Sequence, residues 1–147
     1  MKKILFVVMI VVLSADLFND KDNVGTNTVY DIREIVSMER DRRWESMVSA
    51  ICQRESGMDD RARNPRSSAA GRFQMLRGYV DDVNRICGEK RYTYDDRYNP
   101  VKAREMFDIV QGHYNPEKDI DKAIIMHRGK KDWKYFNDVK RLMEERK

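Results

Sequence analysis

The sequence is poor in the residues that hold metals and in the excess charge that holds nucleic acids. Its 147 residues include two cysteines and two histidines, with no close spacing among them, and this offers no ligand cluster for a metal site. No charge of one sign dominates. The formal net charge is +4, and setting aside Lys2 and Lys3 leaves 27 basic against 25 acidic residues, so the concentrated basic face that nucleic acid demands is missing. The clusters Arg40, Arg42, Arg43 and Arg61, Arg63, Arg66 read as solvated surface, the second also being placed to attract anionic polymers. Long hydrophobic runs are absent too. The longest, Ile4 to Leu13, is about half of what an ordinary membrane-spanning helix requires.

That run follows two lysines and precedes Ser14 and Ala15, the order of a secretion signal, so residues 1–15 are read as a targeting segment outside the fold. Ala15 suits the position before a cut, whereas Leu13 is larger than the residue wanted two places earlier, and an uncleaved anchor stays open. No cysteine near its end indicates a lipoprotein. Residues 16–27 are polar and without period, a flexible leader. With 41% hydrophobic and 37% charged residues, residues 28–147 suit one soluble domain with a real core.

What is present is helical periodicity. Trp44, Met47, Val48, Ile51 and Cys52 recur at the spacing of a stripe that faces a core. Asp41 is placed to cap this helix, and Gly57 to end it, because glycine accepts the left-handed geometry beyond a helix terminus. A separate first helix is expected over Val29–Met38, with Thr28 as cap and Val29, Ile32, and Ile35 or Val36 packing inward. Further helices are expected at Gly78–Cys87, with Tyr79, Val83 and Ile86 inward and Gly88 as the stop, and from Pro100, with Ala103, Phe107, Val110 and Tyr114 inward. Asp119 caps another, carrying Ile120, Ala123, Ile124 and His127. The last spans Asp132–Glu145, with Trp133, Phe136, Val139 and Met143 inward. The segment after Gly57 is rich in turn formers, with Asn64 before Pro65 disfavouring helix.

The next place on the Trp44–Cys52 stripe is Glu55. A carboxylate on an apolar face near a helix end is partly withdrawn from water, which favours its neutral form and suits it to donate a proton near neutrality. If the stripe stops at Cys52, Glu55 simply reaches solvent.

The same run carries a resemblance. Ile51, Cys52, Gln53, Arg54, Glu55, Ser56 and Gly57, then Ala62, Ser67, Ala70, Gly71, Phe73, Gln74 and Met75, resemble the signature of the lytic transglycosylase (SLT) domain of the lysozyme-like superfamily: a helix ending in Glu-Ser-Gly, a polar loop and a Gly-x-x-Gln turn. The resemblance implies a mainly α, single lysozyme-like domain of about six helices with a cleft, acting on peptidoglycan glycan strands without a cofactor. It implies Glu55 as the catalytic acid and base, Ser56 as its support, and Gly71 and Gln74 as residues that shape and line the cleft. Taken alone, Gln74 reads as an ordinary surface glutamine.

Other site candidates follow. Tyr92, Tyr94 and Tyr98 can pack on sugar rings, although one or two of them serve equally well as core anchors. A lone histidine on an apolar stripe is usually a satisfied core residue. Yet Met126, His127, Arg128 and Gly129 stand where the family has Ala-Tyr-Asn-x-Gly opposite the glutamate, which gives His127 a second reading as a sugar-facing group. The Tyr-Asn pair is missing here, the loop between Glu55 and Gln74 is one residue longer than the pattern, and Ala103 replaces an asparagine. Cys52 and Cys87 read as one disulfide in an exported chain or as two buried thiols.

The expected reaction is cleavage of the β-1,4 bond between N-acetylmuramic acid and N-acetylglucosamine, giving a 1,6-anhydro product. A muramidase that inverts the same bond needs a second carboxylate about 6.5–9.5 Å from the first, for which Asp59, Asp60, Asp95 and Asp96 are available. A glycan-binding or assembly protein without turnover is the reading from another class. The expected setting is periplasmic or extracellular, as a monomer, with a cell-envelope secretion or conjugation apparatus as candidate partner.

Overall fold

Nothing between Ile32 and Ser56 interrupts a helix, since the stretch holds neither glycine nor proline. In the computed structural model, which describes residues 32–145, these 25 residues form one helix, α1 (Ile32–Ser56). The two helices expected on either side of Asp41 are therefore continuous. Asp41 is no cap; its carboxylate instead meets Lys118 Nζ at 3.3 Å. Expectations for residues 1–15, the leader 16–27, Thr28 and Val29 concern positions outside those described.

Four more helices follow: α2 (Arg77–Cys87), α3 (Pro100–Tyr114), α4 (Ile120–Arg128) and α5 (Trp133–Glu144), with a 3-10 turn at Tyr94–Tyr98 between α2 and α3. Among the described residues there is no strand, only two isolated antiparallel bridges that join Ala70 to Arg63 and to Met75. Local chemistry sets the boundaries. Asn99 accepts from the Val101 and Lys102 N–H groups ahead of Pro100, Asp119 and Asp132 cap α4 and α5, and Gly88 closes α2 in the left-handed region.

The buried residues of α1 all lie from Trp44 onward. Trp44, Met47, Val48, Ile51 and Cys52 enter one core with Phe73, Met75, Val80, Val83, Met106, Phe107, Ile124 and Val139. Each large apolar side chain fully withdrawn from water there contributes about 1.5–3 kcal/mol. The N-terminal half of α1 does not share in this. Ile32, Ile35, Val36 and Met38 are exposed, contrary to the packing role expected for them, because α1 meets α5 and α4 through its other half.

Three further expectations are corrected. Tyr114 points outward, where its hydroxyl accepts from Arg85, and Gln111 takes the buried place, bonded to Asn115. Trp133 is exposed, and Tyr135, Val139 and Met143 form the inward stripe of α5. Cys52 and Cys87 are free thiols. Cys52 is enclosed in the core, while Cys87 is half-buried at the end of α2.

Candidate active site

The last turn of α1 delivers Glu55. Gly57 turns the chain at φ +65° and Met58 follows at φ +72°. The Gly57 and Met58 N–H groups reach back to the carbonyls of Gln53 and Cys52 at 3.0 and 3.3 Å, satisfying the helix end. The Glu55 side chain is 18% exposed, which places it at the edge of the core rather than in open solvent. Arg54 beside it is committed elsewhere, to Asp138 at 3.0 Å.

Ser56 fastens this end to the turn that follows. Its hydroxyl donates to the Arg72 carbonyl at 2.9 Å and lies 3.2 Å from that of Cys52. Gly71 starts the turn at φ +71°, and a Cβ there would fall inside the Arg97 carbonyl, so only glycine fits. Gln74 is itself in the left-handed region, φ +49°, and its Nε2 donates to the Gly71 and Ala62 carbonyls at 2.9 and 3.3 Å. Met58 and Gln74 are thus non-glycine residues with positive φ, one just after the helix end that carries Glu55 and one in the turn fastened to it, a strain that folds tend to keep at working sites.

The structure brings His127 to Glu55 across 72 positions of sequence. Its Nε2 lies 3.8 Å from Glu55 Oε1 and donates to the Phe73 carbonyl at 3.0 Å. The rings of Phe73, Phe107 and Tyr79 surround it, with centroids 6.1, 5.9 and 6.5 Å away. Burial among them pushes the imidazole pKa down, against the opposing pull of the Glu55 charge. His127 is therefore a neutral neighbour, and its Nδ1 is buried without a partner.

Tyr135, from α5, completes the surroundings. Its hydroxyl is buried and makes no well-formed hydrogen bond, yet burial, and then the negative charge of Glu55, hold its pKa far above the usual phenol value. The Arg54 and Arg128 guanidiniums lie 5.6 and 5.4 Å from the ring centroid. Sequence reasoning passed over Tyr135; the signal was there in Tyr135, Val139 and Met143 at four-residue spacing.

The tyrosines of the 3-10 segment have other engagements. Tyr92 is 3% exposed, its hydroxyl donates to Glu105 at 3.1 Å, and its backbone is pinned on both sides by Asn84, so it is a core anchor and no sugar platform. Tyr94 donates to Asp81 at 3.0 Å, and the Arg77 and Arg97 guanidiniums stand over its ring. Tyr98 lines a cavity with Ser68 and Arg97. The segment joins the turn at Gly71, whereas Ser56 joins it at Arg72.

Of the four aspartates considered as second carboxylates, two are held by cations. Arg72 grips Asp60 with two nitrogens and holds its carboxyl below the usual range. Asp96 accepts from Thr93 and Lys102, Asp59 accepts from the Arg61 N–H, and Asp95 faces the cavity beside Arg97. Among the described residues no group of histidine, cysteine and carboxylate side chains could hold a metal ion.

A lone glutamate at a helix end, edged by a Gly-x-x-Gln turn within an all-helical domain, defines the class as lysozyme-like. Residues 34–107 match the model of the transglycosylase SLT domain, half of the chain, and the protein belongs to that family. The family's chemistry is transglycosylase action on peptidoglycan. No curated protein and no solved structure gives a significant match.

Proposed function

We propose that the protein is a lytic transglycosylase in which Glu55 alone serves as acid and base. The observation that carries this reading is the company Glu55 keeps: a sheltered carboxyl group whose near neighbours are a neutral histidine and a protonated tyrosine, with the adjacent Arg54 drawn off to Asp138. Among the described residues no lysine or arginine forms an ion pair with it, which leaves the carboxyl group available for proton transfer to a bound substrate.

In the proposed reaction Glu55, protonated, donates to the glycosidic oxygen as the bond from the muramoyl C1 breaks. The muramoyl 6-hydroxyl then attacks C1 and gives its proton to the Glu55 carboxylate, which restores the acid and forms the 1,6-anhydro ring without water. The capture of Asp60 by Arg72 and of Asp96 by Lys102 favours this over an inverting hydrolysis, which needs a second carboxylate free to activate water. The substrate lies outside the cytoplasmic membrane, in keeping with the export expected from Lys2 to Ala15.

The test is digestion of purified peptidoglycan by the parent and by Glu55→Gln, with products read by mass spectrometry. The parent should yield anhydro-ended fragments, and the variant should bind glycan without cleaving it. Reducing-end products would replace this reading by hydrolysis. Absence of turnover in the parent, with glycan affinity intact, would replace it by a binding role.

A further inference from the structure

Next to the Gly71 turn lies a cavity of about 380 Å³ whose chemistry the cleavage reaction does not use. Arg97 forms its floor, and the residue is 5% exposed. The guanidinium is held by three backbone carbonyls: Nε donates to Tyr94 at 2.5 Å, and Nη1 to Met75 at 3.0 Å and to Ser68. Carbonyl dipoles satisfy N–H groups but form no ion pair, and a buried cation held directly only by neutral groups is costly. Among the described residues no carboxylate pairs with Arg97, and its Nη2 has no hydrogen-bond partner. Burial, with Arg77 adding to it, pulls its pKa down against the opposing influence of Tyr98, Asp95 and Tyr94, although a guanidinium stays charged.

The walls deepen the imbalance. Arg63 and Arg77 line the same cavity, and neither makes an ion pair among the described residues. Asp95 is the single acid in the lining. The N-terminus of α2 opens here as well: Arg77 N–H donates to Ser68 Oγ at 3.2 Å, while the first turn has no acidic residue and its cap position no side-chain bond. A helix N-terminus without such compensation favours an anion.

We propose that this cavity is an anion site that takes a free carboxylate of the peptide stem borne by the glycan strand, an assignment that rests on the peptidoglycan reading above. Position supports it. Gly71 touches the Arg97 carbonyl and the next residue, Arg72, receives Ser56, so a single turn links the segment that carries Arg97 to the helix end that carries Glu55. The stem branches off the muramoyl ring and carries its carboxylates away from the glycan axis. Charge-assisted contacts from Arg97, Arg63 and Arg77 would then orient the strand through its side branch.

The test uses the whole protein and binding alone, so it stands or falls apart from turnover at Glu55. Nuclear magnetic resonance titration compares the synthetic dipeptide L-Ala-γ-D-Glu, the same dipeptide with its carboxyls amidated, and inorganic phosphate. The free acid should shift the Ser68, Arg77 and Arg97 resonances, the amide should not, and Arg63→Ala/Arg77→Ala should weaken binding about tenfold, the scale of a lost hydrogen bond to a charged group. Both arginines are exposed, and the amide comparison on the parent protein decides the matter even if the double variant misfolds. Equal binding of acid and amide, parent-like binding by a folded double variant, or phosphate bound more tightly than the dipeptide would each overturn the assignment.

Discussion

Replacing Gly71 by alanine tests how tightly the turn is held. Its φ of +71° costs an L-residue about 1–2 kcal/mol by itself. The methyl would also overlap the Arg97 carbonyl, a backbone atom that cannot swing aside as a side-chain end can. Relief requires the turn or the 3-10 segment to shift, giving up the Gly71 N–H bond to Ala62 (2.8 Å) or the Gln74 bond to the Gly71 carbonyl (2.9 Å), each about 1 kcal/mol. The expected loss is about 2–3 kcal/mol, a large part of the stability of a domain of this size. Gly88→Ala supplies the control: at φ +72° with nothing within 4 Å, it carries only the conformational cost of about 1–2 kcal/mol. Urea unfolding followed by circular dichroism, with unchanged slopes, compares the two. If Gly71→Ala proves no more damaging than Gly88→Ala, the collision with Arg97 is not real and the turn is looser than described.

Other consequences can be measured on the same protein. Tyr135→Phe removes a buried hydroxyl without a well-formed bond, so stability should hold or rise slightly while cleavage falls about tenfold as Glu55 loses a polar neighbour; unchanged cleavage would mean that the phenol only packs. Burial keeps the His127 pKa below its ordinary 6.5, so as pH falls past that value the unfolded chain takes up a proton that the folded one resists, and stability drops. His127→Phe should soften the decline of the urea midpoint between pH 7 and 5, and parallel declines would refute this account of the imidazole. Cys52 is enclosed, with its thiol pushed up to about 12 by burial, whereas Cys87 is half-buried. An Ellman-type reagent should label Cys87 in the folded protein and Cys52 only on unfolding; a count of no free thiols in denaturant would mean that the two are bonded.

What the sequence made legible was mainly local. The Trp44–Cys52 stripe, the stop at Gly57 and the cap Asp119 each depend on residues within a turn or two, and the structure has them as expected. The continuity of α1 was misjudged because aspartate serves both as cap and as solvated helix residue, and the lack of any glycine or proline across Ile32–Ser56 was the stronger signal. The stripe expected on α5 began at Trp133, whereas packing against α1 turns Tyr135 inward and leaves Trp133 exposed. The approach of His127 to Glu55 spans four helices and came from family likeness, since no spacing rule reaches that far. Arg97 left no trace in pattern at all, because a buried arginine looks in sequence like any solvated one.

The double fastening of the Gly71–Gln74 turn bears on how such chains diverge. Asn64 pairs with Ala69, Ala62 with Gly71, and Ser56 with Arg72, so the stretch between Asp59 and Ser68 is a closed bight whose roots are moored independently of its length. Lengthening or trimming this stretch offers a way to retune the loop without disturbing the helix end that carries Glu55.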